Sequence, residues 1–304
     1  MKIVITGVSG LVGSKLCKYL IKNGHDVIGV GRSDCRVLGL LYYIKLDLST
    51  EKTVEMLHKK IPKGVDIVIH CSAQQPRARF SFNDYCKGNV NATVNVETWA
   101  EEVAVSLFIT FSTIAFLELP LLDGELLDES ACCKPKNFYA LSKYTAETYL
   151  QLSNVDNNLS TLCLRIPSLV QEEQIGGVIN TYWESAIKNS DLEIYDNGEF
   201  KRNLIYIDSI VEVIEIALKN VEKFSGFNLY HIGSKDAWPL IKIAQYIYKK
   251  LDSRGVVYPV DKKSPVAGHW DIDTHKAEQE FNFRPWTTKK VLDGYIKNMS
   301  SKEK

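Results

Sequence analysis

The sequence predicts an α/β protein built on a doubly wound parallel sheet, and three observations carry that prediction. An apolar, β-branched run at residues 2–5 leads into glycines at 7, 10 and 13, and an amphipathic stretch follows from Ser14. Short apolar runs then alternate with helical patterns as far as Arg165, the rhythm of βαβ units. The 304 residues are 45% hydrophobic and 24% charged, a balance that supplies a large soluble core.

The first element organises the rest. A strand that runs into a glycine-rich turn at a helix N-terminus aims free backbone N–H groups and the positive helix pole at an anion. Glycine is needed there because a Cβ would hold a diphosphate off the backbone and block helix–strand packing. The reading is a nucleotide-binding Rossmann unit. Its second strand, residues 25–30, ends at Gly31-Arg32-Ser33. A unit that prefers NAD puts a carboxylate at this strand end for the adenosine ribose 2′-hydroxyl. A guanidinium there pairs with a 2′-phosphate, so Arg32 favours NADP(H), with NAD(H) the second choice. The third strand, residues 40–46, delivers Asp47 to the adenine amino group, followed by Leu48. Residues 51–61 read as a helix, and a fourth buried strand, from 65, brings Ala73 past the cofactor.

A helix over 83–103 follows, then a strand over 105–111 ending at Ser112 and Thr113, a helix over 137–152 and a strand over 159–165. After Pro167 the rhythm changes. A polar loop at 171–177 precedes a helix at 178–189 and a short strand at 192–195. Residues 201–207 read as a strand, with Asp208 as N-cap of a helix at 209–220. A strand at 228–232, a helix at 239–251 and a last helix after Trp286 complete the chain. The expected division is a Rossmann domain over 1–166 and a smaller C-terminal α/β substrate domain over 167–304. The second is expected to drape over the strand ends and share a cleft, and the chain is free to return to the sheet within it.

The pattern Tyr-x-x-x-Lys occurs at Tyr139/Lys143, Tyr246/Lys250 and Tyr258/Lys262. Only the first pair follows a strand-terminal Thr113 in the Rossmann half, and its spacing puts both side chains on one helix face. An ammonium beside a phenol favours the phenolate, which would make Tyr139 an acid/base near neutrality. Thr113, or Ser112 beside it, is placed to bond the reacting oxygen.

Together, Gly7/Gly10/Gly13, Asp47-Leu48, Ser112-Thr113 and Tyr139-Ala-Leu-Ser-Lys143 resemble the extended short-chain dehydrogenase/reductases. More narrowly, the chain resembles the NAD-dependent epimerase/dehydratase family that modifies nucleotide sugars. Leu164-Arg165-Ile-Pro167, Lys201-Arg202-Asn-Leu-Ile-Tyr-Ile-Asp208, Asp273-Thr-His-Lys276 and Phe283-Arg-Pro285 extend the match over nearly the whole chain. The resemblance implies Thr113, Tyr139 and Lys143 as the catalytic set, with Lys143 also bonding the nicotinamide ribose. It implies Gly7, Gly10, Leu11, Val12, Gly13, Arg32, Asp47, Leu48 and Ala73 around the cofactor, with Asn89 at its edge. Ser112 and Arg202 fall to the substrate, Arg202 pairing with the diphosphate of a nucleotide sugar. A homodimer is the expected assembly.

Two departures narrow the reaction. Phe116-Leu117-Glu118 replaces the family's Val-Tyr-Gly, and the Asp and Glu that dehydratases carry after the catalytic Thr are here Ile114 and Ala115, which transfer no proton. The expected activity is reduction of a 4-keto nucleotide sugar. The alternatives are a 4-epimerase with tightly held NAD, a reductase of a free hydroxy-ketone such as a flavonoid-like or lactone compound, and a non-catalytic NAD(P)-binding regulator.

Composition excludes other classes. Lys plus Arg and Asp plus Glu are both 37, so no net field recruits nucleic acid or an anionic membrane. No apolar run reaches the ~20 residues of a membrane span. Lys2 is followed at once by the first strand, leaving no signal peptide to expect. The seven cysteines form no Cys-x-x-Cys pair, the usage of reduced cytoplasmic thiols. His269 and His275 share a loop without a third soft ligand, so no metal is expected.

Overall fold

The apolar run at the N-terminus becomes β1 (Lys2–Thr6), its core residues Ile3, Val4 and Ile5 fully buried, and the glycine turn feeds α1 (Leu11–Lys22). The computed structural model describes residues 1–76, 80–156, 158–172, 174, 176–264 and 267–302; positions 173 and 175 of the polar loop expected at 171–177 lie outside them. The alternation continues through β2 (Asp26–Gly31), β3 (Tyr42–Lys45), α2 (Thr53–Lys60), β4 (Ile67–His70), α3 (Phe82–Tyr85), α4 (Ala92–Glu102), β5 (Leu107–Thr113), α5 (Phe138–Asp156) and β6 (Thr161–Ile166). Then come β7 (Ser168–Val170), α6 (Val178–Ile187), β8 (Leu192–Ile194), β9 (Lys201–Arg202), β10 (Leu204–Tyr206), α7 (Ile207–Lys219) and β11 (Phe227–His231). The chain ends with β12 (Trp238–Pro239), α8 (Leu240–Lys250), β13 (Val257–Pro259), α9 (His275–Phe281) and α10 (Thr288–Lys302).

Seven strands form one sheet in the order β11-β6-β5-β4-β1-β2-β3, and this is the Rossmann-type parallel sheet the glycine turn predicts. Ile3 lies opposite Val27 and Ile67, and Ile69 opposite Ile109, all in parallel register. The strand order runs one way from β1 through β2 and the other way through β4, so the crevice at the carboxyl ends of β1 and β4 is the switch point where such sheets bind ligands. One face of the sheet buries Val4, Val68 and Phe108 against Val96 and Trp99 of α4 and Leu150 of α5. Truncating a core aliphatic side chain of this kind to Ala costs ~2–5 kcal/mol, which is what holds the strand ends in register.

The described chain divides into two compact units: Met1–Leu117, Cys132–Arg165 and Val213–Tyr230 in the first, and Glu118–Ala131, Ile166–Glu212 and His231–Lys304 in the second. The return to the sheet is made by the end of α7 and by β11, and within the first unit Tyr19 of α1 hydrogen-bonds Glu215 of α7. In the second unit β7 pairs with β10 and β8 with β13 in parallel, and β9 with β12 antiparallel. The segment 118–131 is bound there by Leu127, which exchanges backbone bonds with Asp271 and Asp273 at 2.9 Å, and by a Lys201–Asp123 ion pair at 2.5 Å.

Besides β7, β12, β13 and α9, which were not expected, three elements differ from expectation. The helix expected over 83–103 is broken by a π-helical turn, Cys86–Asn91, between α3 and α4. The wide turn brings Gly88 so close to Gln74 that a Cβ on it would lie 2.8 Å from the Gln74 Cβ. The strand expected at 201–207 is interrupted at Asn203, whose side chain turns away to bond both the amide and the carbonyl of Ser234 at 2.8 Å. Asp208 lies in the first turn of α7 rather than at its N-cap, where its charge still meets the positive helix pole. No helix among the described residues is long and apolar enough to cross a membrane.

Candidate active site

A cleft of about 590 Å³ opens at the switch point of the first unit. Gly7, Gly10, Arg32, Asp47, Leu48 and Ala73 line it, each from the carboxyl end of a strand or the turn that follows. Gly7 has φ +65°, and a Cβ on it would lie 2.8 Å from the Ser72 amide nitrogen; one on Gly13 would lie 2.3 Å from the Gly7 carbonyl oxygen. The first turn of α1 carries no acidic residue and no side-chain cap on Gly10. This is a cradle that only glycine permits, with backbone donors presented to an anion, and it fits the diphosphate of a dinucleotide. Leu11, Val12 and Gly13 lie in that first turn and do not line the cleft themselves.

The wall beside β2 is cationic. Gly31 ends the strand, and Arg32 reaches over to donate to Gln74 Oε1 at 3.3 Å. Partial burial opposes the charge of Asp47, but the amide and hydroxyl of Ser49, at 2.9 and 2.8 Å, together with Arg32 and Lys87 nearby, hold its carboxyl below the usual range. Reading the sequence misses Ser9, Ser33, Ser49, Ser72, Gln74, Gln75 and Phe80 as cleft residues. Ser72 and Gln74 follow β4 as the glycine turn follows β1, so position alone could have found them; the others carry no spacing signal.

Asn89 does not line the cleft. It is 1% exposed, and its side chain is spent on neighbours. Its Oδ1 accepts from the Gln74 amide at 2.6 Å, and its Nδ2 donates to Ser142 Oγ at 2.8 Å. Ser142 in turn donates to the Tyr139 carbonyl at 2.8 Å. The π-helical turn thus ties the cleft wall to the start of α5. Its preceding residue, Tyr85, packs edge-to-face on the Tyr139 ring, centroids 6.1 Å apart.

The sheet and α5 bring Thr113, Tyr139 and Lys143 together. Thr113 closes β5 and accepts from the Ala115 amide at 3.2 Å. Tyr139 is half-buried; desolvation pushes its phenol up to about 12, opposed by a hydrogen bond with Thr113 and reinforced by Tyr85. Burial thus raises the phenol where a lowering by Lys143 was expected. The Lys143 Nζ is instead drawn to the Phe111 carbonyl at 2.7 Å, and burial pulls its pKa down, against the pull of Cys163, Glu147 and Cys71. Ser112, 5% exposed, has an Oγ with no hydrogen-bond partner among the described residues, a polar atom left for a ligand at the strand end. The other two Tyr-x-x-x-Lys pairs are engaged with acids: Tyr246 and Lys250 meet Asp293 at 2.6 and 3.1 Å, and Lys262 meets Glu193 at 2.5 Å.

Arg202 lies in the second unit on β9. It is 9% exposed, stacks 4.6 Å over the Trp270 ring and donates to the Gly268 carbonyl at 3.3 Å. Burial lowers its pKa to about 10, with Tyr182 and Asp196 acting the other way. Its neighbour His269 accepts from the Lys201 amide at 3.3 Å, and no group of three His, Cys, Asp or Glu among the described residues is placed to hold a metal.

Known proteins resemble this arrangement over the whole chain. A putative UDP-glucose 4-epimerase from Methanocaldococcus jannaschii is 25% identical over 291 residues, 91% of each chain. A dTDP-4-dehydro-6-deoxyglucose reductase from Escherichia coli is 24% identical over 308 residues, 97% of this chain and 95% of the relative. The crystal structure of a UDP-glucose 4-epimerase with UDP-glucose from Thermotoga maritima superposes with a TM-score of 0.85 at 21% identity, covering 100% of both chains. The model of the NAD dependent epimerase/dehydratase family matches residues 3–233, and this chain belongs to that family.

Proposed function

We propose that the protein reduces a 4-keto nucleotide sugar at the expense of NADPH. The observation that carries this reading is Arg32 in the wall of the dinucleotide cleft, at the strand end where an acid would favour NAD. Cells keep the phosphorylated cofactor pool reduced, which suits a one-way reduction. The cradle of Gly7, Gly10 and Gly13 with the amides of Leu11 and Val12 receives the diphosphate, Arg32 the 2′-phosphate, Asp47 and Leu48 the adenine, and Ala73 the region beyond. Lys143 bonds the nicotinamide ribose. Arg202, already desolvated, pairs with the substrate diphosphate.

The bound cofactor supplies the hydride that reaches the sugar C4. The remaining work belongs to the chain. Thr113 and Ser112 hold the keto oxygen by hydrogen bonds, and Tyr139, protonated at neutral pH, gives its phenolic proton to that oxygen as the carbonyl becomes an alcohol. The phenol is then reprotonated from solvent. Ile114 and Ala115 offer no acid or base to eliminate water.

The second reading is a 4-epimerase, which the descriptions of the Methanocaldococcus and Thermotoga proteins favour. A free hydroxy-ketone carries no diphosphate for Arg202 to pair with. A regulator that only binds dinucleotide would have no use for Lys143 buried at 7% exposure beside a Thr113–Tyr139 pair. The test is absorbance of NADPH with a nucleotide-linked 4-keto-6-deoxy sugar, alongside ordinary UDP-hexoses. Stoichiometric loss of NADPH and a 4-hydroxy product are expected. Protein that carries tightly held NAD+ and interconverts two UDP-hexoses without consuming added cofactor would be an epimerase.

A further inference from the structure

The turn that presents Arg32 is held by a side chain from the next strand. Tyr43 lies in β3, in register with Gly29 of β2. Its hydroxyl donates to the Gly31 carbonyl at 3.1 Å and is shared with the Ser33 carbonyl, the two acceptors that flank Arg32. Both Gly31 and Ser33 line the dinucleotide cleft, while Tyr43 stands behind them. A Cβ on Gly31 would lie 3.3 Å from Tyr43 Oη and 3.6 Å from Ser9 Oγ. That first contact is tighter than side chains normally keep, so a side chain at position 31 would push the tyrosine hydroxyl by a few tenths of an ångström and strain its bonds to the turn. Burial, with Cys35 and Asp34 nearby, raises the Tyr43 pKa further, so the hydroxyl stays a donor at neutral pH.

We infer that Tyr43 is a specificity-determining residue for the dinucleotide, acting in two ways through one hydroxyl. It fixes the Gly31–Ser33 turn so that Arg32 and Ser33 face a 2′-phosphate. It also fills the room that a carboxylate on residue 31 would need to reach a free 2′-hydroxyl. The glycine at 31 and the tyrosine at 43 are therefore a matched pair, and neither alone sets the preference. This inference rests on the NADP(H) reading of the cleft.

Equilibrium titration of NADPH and NADH by fluorescence tests it without any sugar substrate. The wild-type protein is measured against Tyr43→Phe, Gly31→Asp and the double variant. Phe keeps the ring and its packing and removes only the hydroxyl. In Tyr43→Phe, NADPH is expected to weaken about fivefold, the scale of one lost hydrogen bond, with NADH changed less than about twofold. Gly31→Asp alone should gain little affinity for NADH, and the double variant should bind NADH about tenfold tighter than that single variant. An unchanged NADPH-to-NADH ratio in Tyr43→Phe overturns the inference, as does a Gly31→Asp variant that gains NADH as fully as the double. A wild-type protein that already prefers NADH overturns the NADP(H) reading itself, and that is visible before any variant is compared.

Discussion

At the scale of single residues, the site depends on how burial sets protonation. Tyr139 sits against Thr113 with its phenol pushed up to about 12 by burial, which favours the protonated form in the free protein. Its proposed catalytic use rests on position, beside Thr113 at the end of β5. Tyr139→Phe is expected to keep the fold and the cofactor affinity while lowering turnover by ~10²-fold or more, because the proton donor is gone. Comparing NADPH titration with steady-state rates checks both halves; near-normal turnover would remove Tyr139 from the mechanism. The sequence names Thr113, Tyr139 and Lys143 by motif and spacing. It does not reveal the partner of Lys143, because spacing alone puts that residue on the Tyr139 face and cannot show that the Phe111 carbonyl accepts from the amine.

Among the elements, a buried ion pair helps to fix α5 to the sheet. Arg165 of β6 donates to Glu147 through Nε at 3.0 and 3.1 Å and through Nη2 at 2.6 Å, both side chains 5% exposed. Glu147 lies one turn beyond Lys143, so the pair links the helix that carries Tyr139 and Lys143 to β6. Removing one partner leaves the other charge buried, and Glu147→Ala is expected to cost ~3–5 kcal/mol in urea unfolding. A loss under about 1 kcal/mol would show the pair to be dispensable. Most elements were legible in the sequence, since the β-branched runs and 3.6-residue periods of the first half fall close to the observed strands and helices. The breaks were not. The π-helical turn depends on Asn89 bonding the Gln74 backbone, 15 residues away, and the interruption at Asn203 depends on Ser234, 31 residues away. Such contacts leave no local period.

At the scale of the molecule, balanced charge leaves function to local groups, and the same buried groups shape its response to pH. His70, at the end of β4, is bonded by Thr6 at 2.8 Å and Thr93 at 3.2 Å. Burial, aided by the Lys143 charge, lowers its pKa from 6.5 to about 3. The folded protein keeps the ring neutral while the unfolded chain takes up a proton. Its contribution is therefore complete above pH 6.5 and is lost as pH falls toward about 3. Urea unfolding should weaken between about pH 7 and 4, and His70→Asn, which cannot titrate, should show a shallower slope; equal slopes would contradict the assignment. The proposed reaction sends a hydride one way, from NADPH to a sugar carbon. Its most direct measurement is transfer from NADPH deuterated at the nicotinamide C4 on the transferred face, with the nucleotide 4-keto-6-deoxy sugar as acceptor and the product read by mass spectrometry. One deuterium is expected at the sugar C4 for each NADPH consumed. A sugar inverted at C4 without deuterium, and with the added NADPH intact, would contradict it.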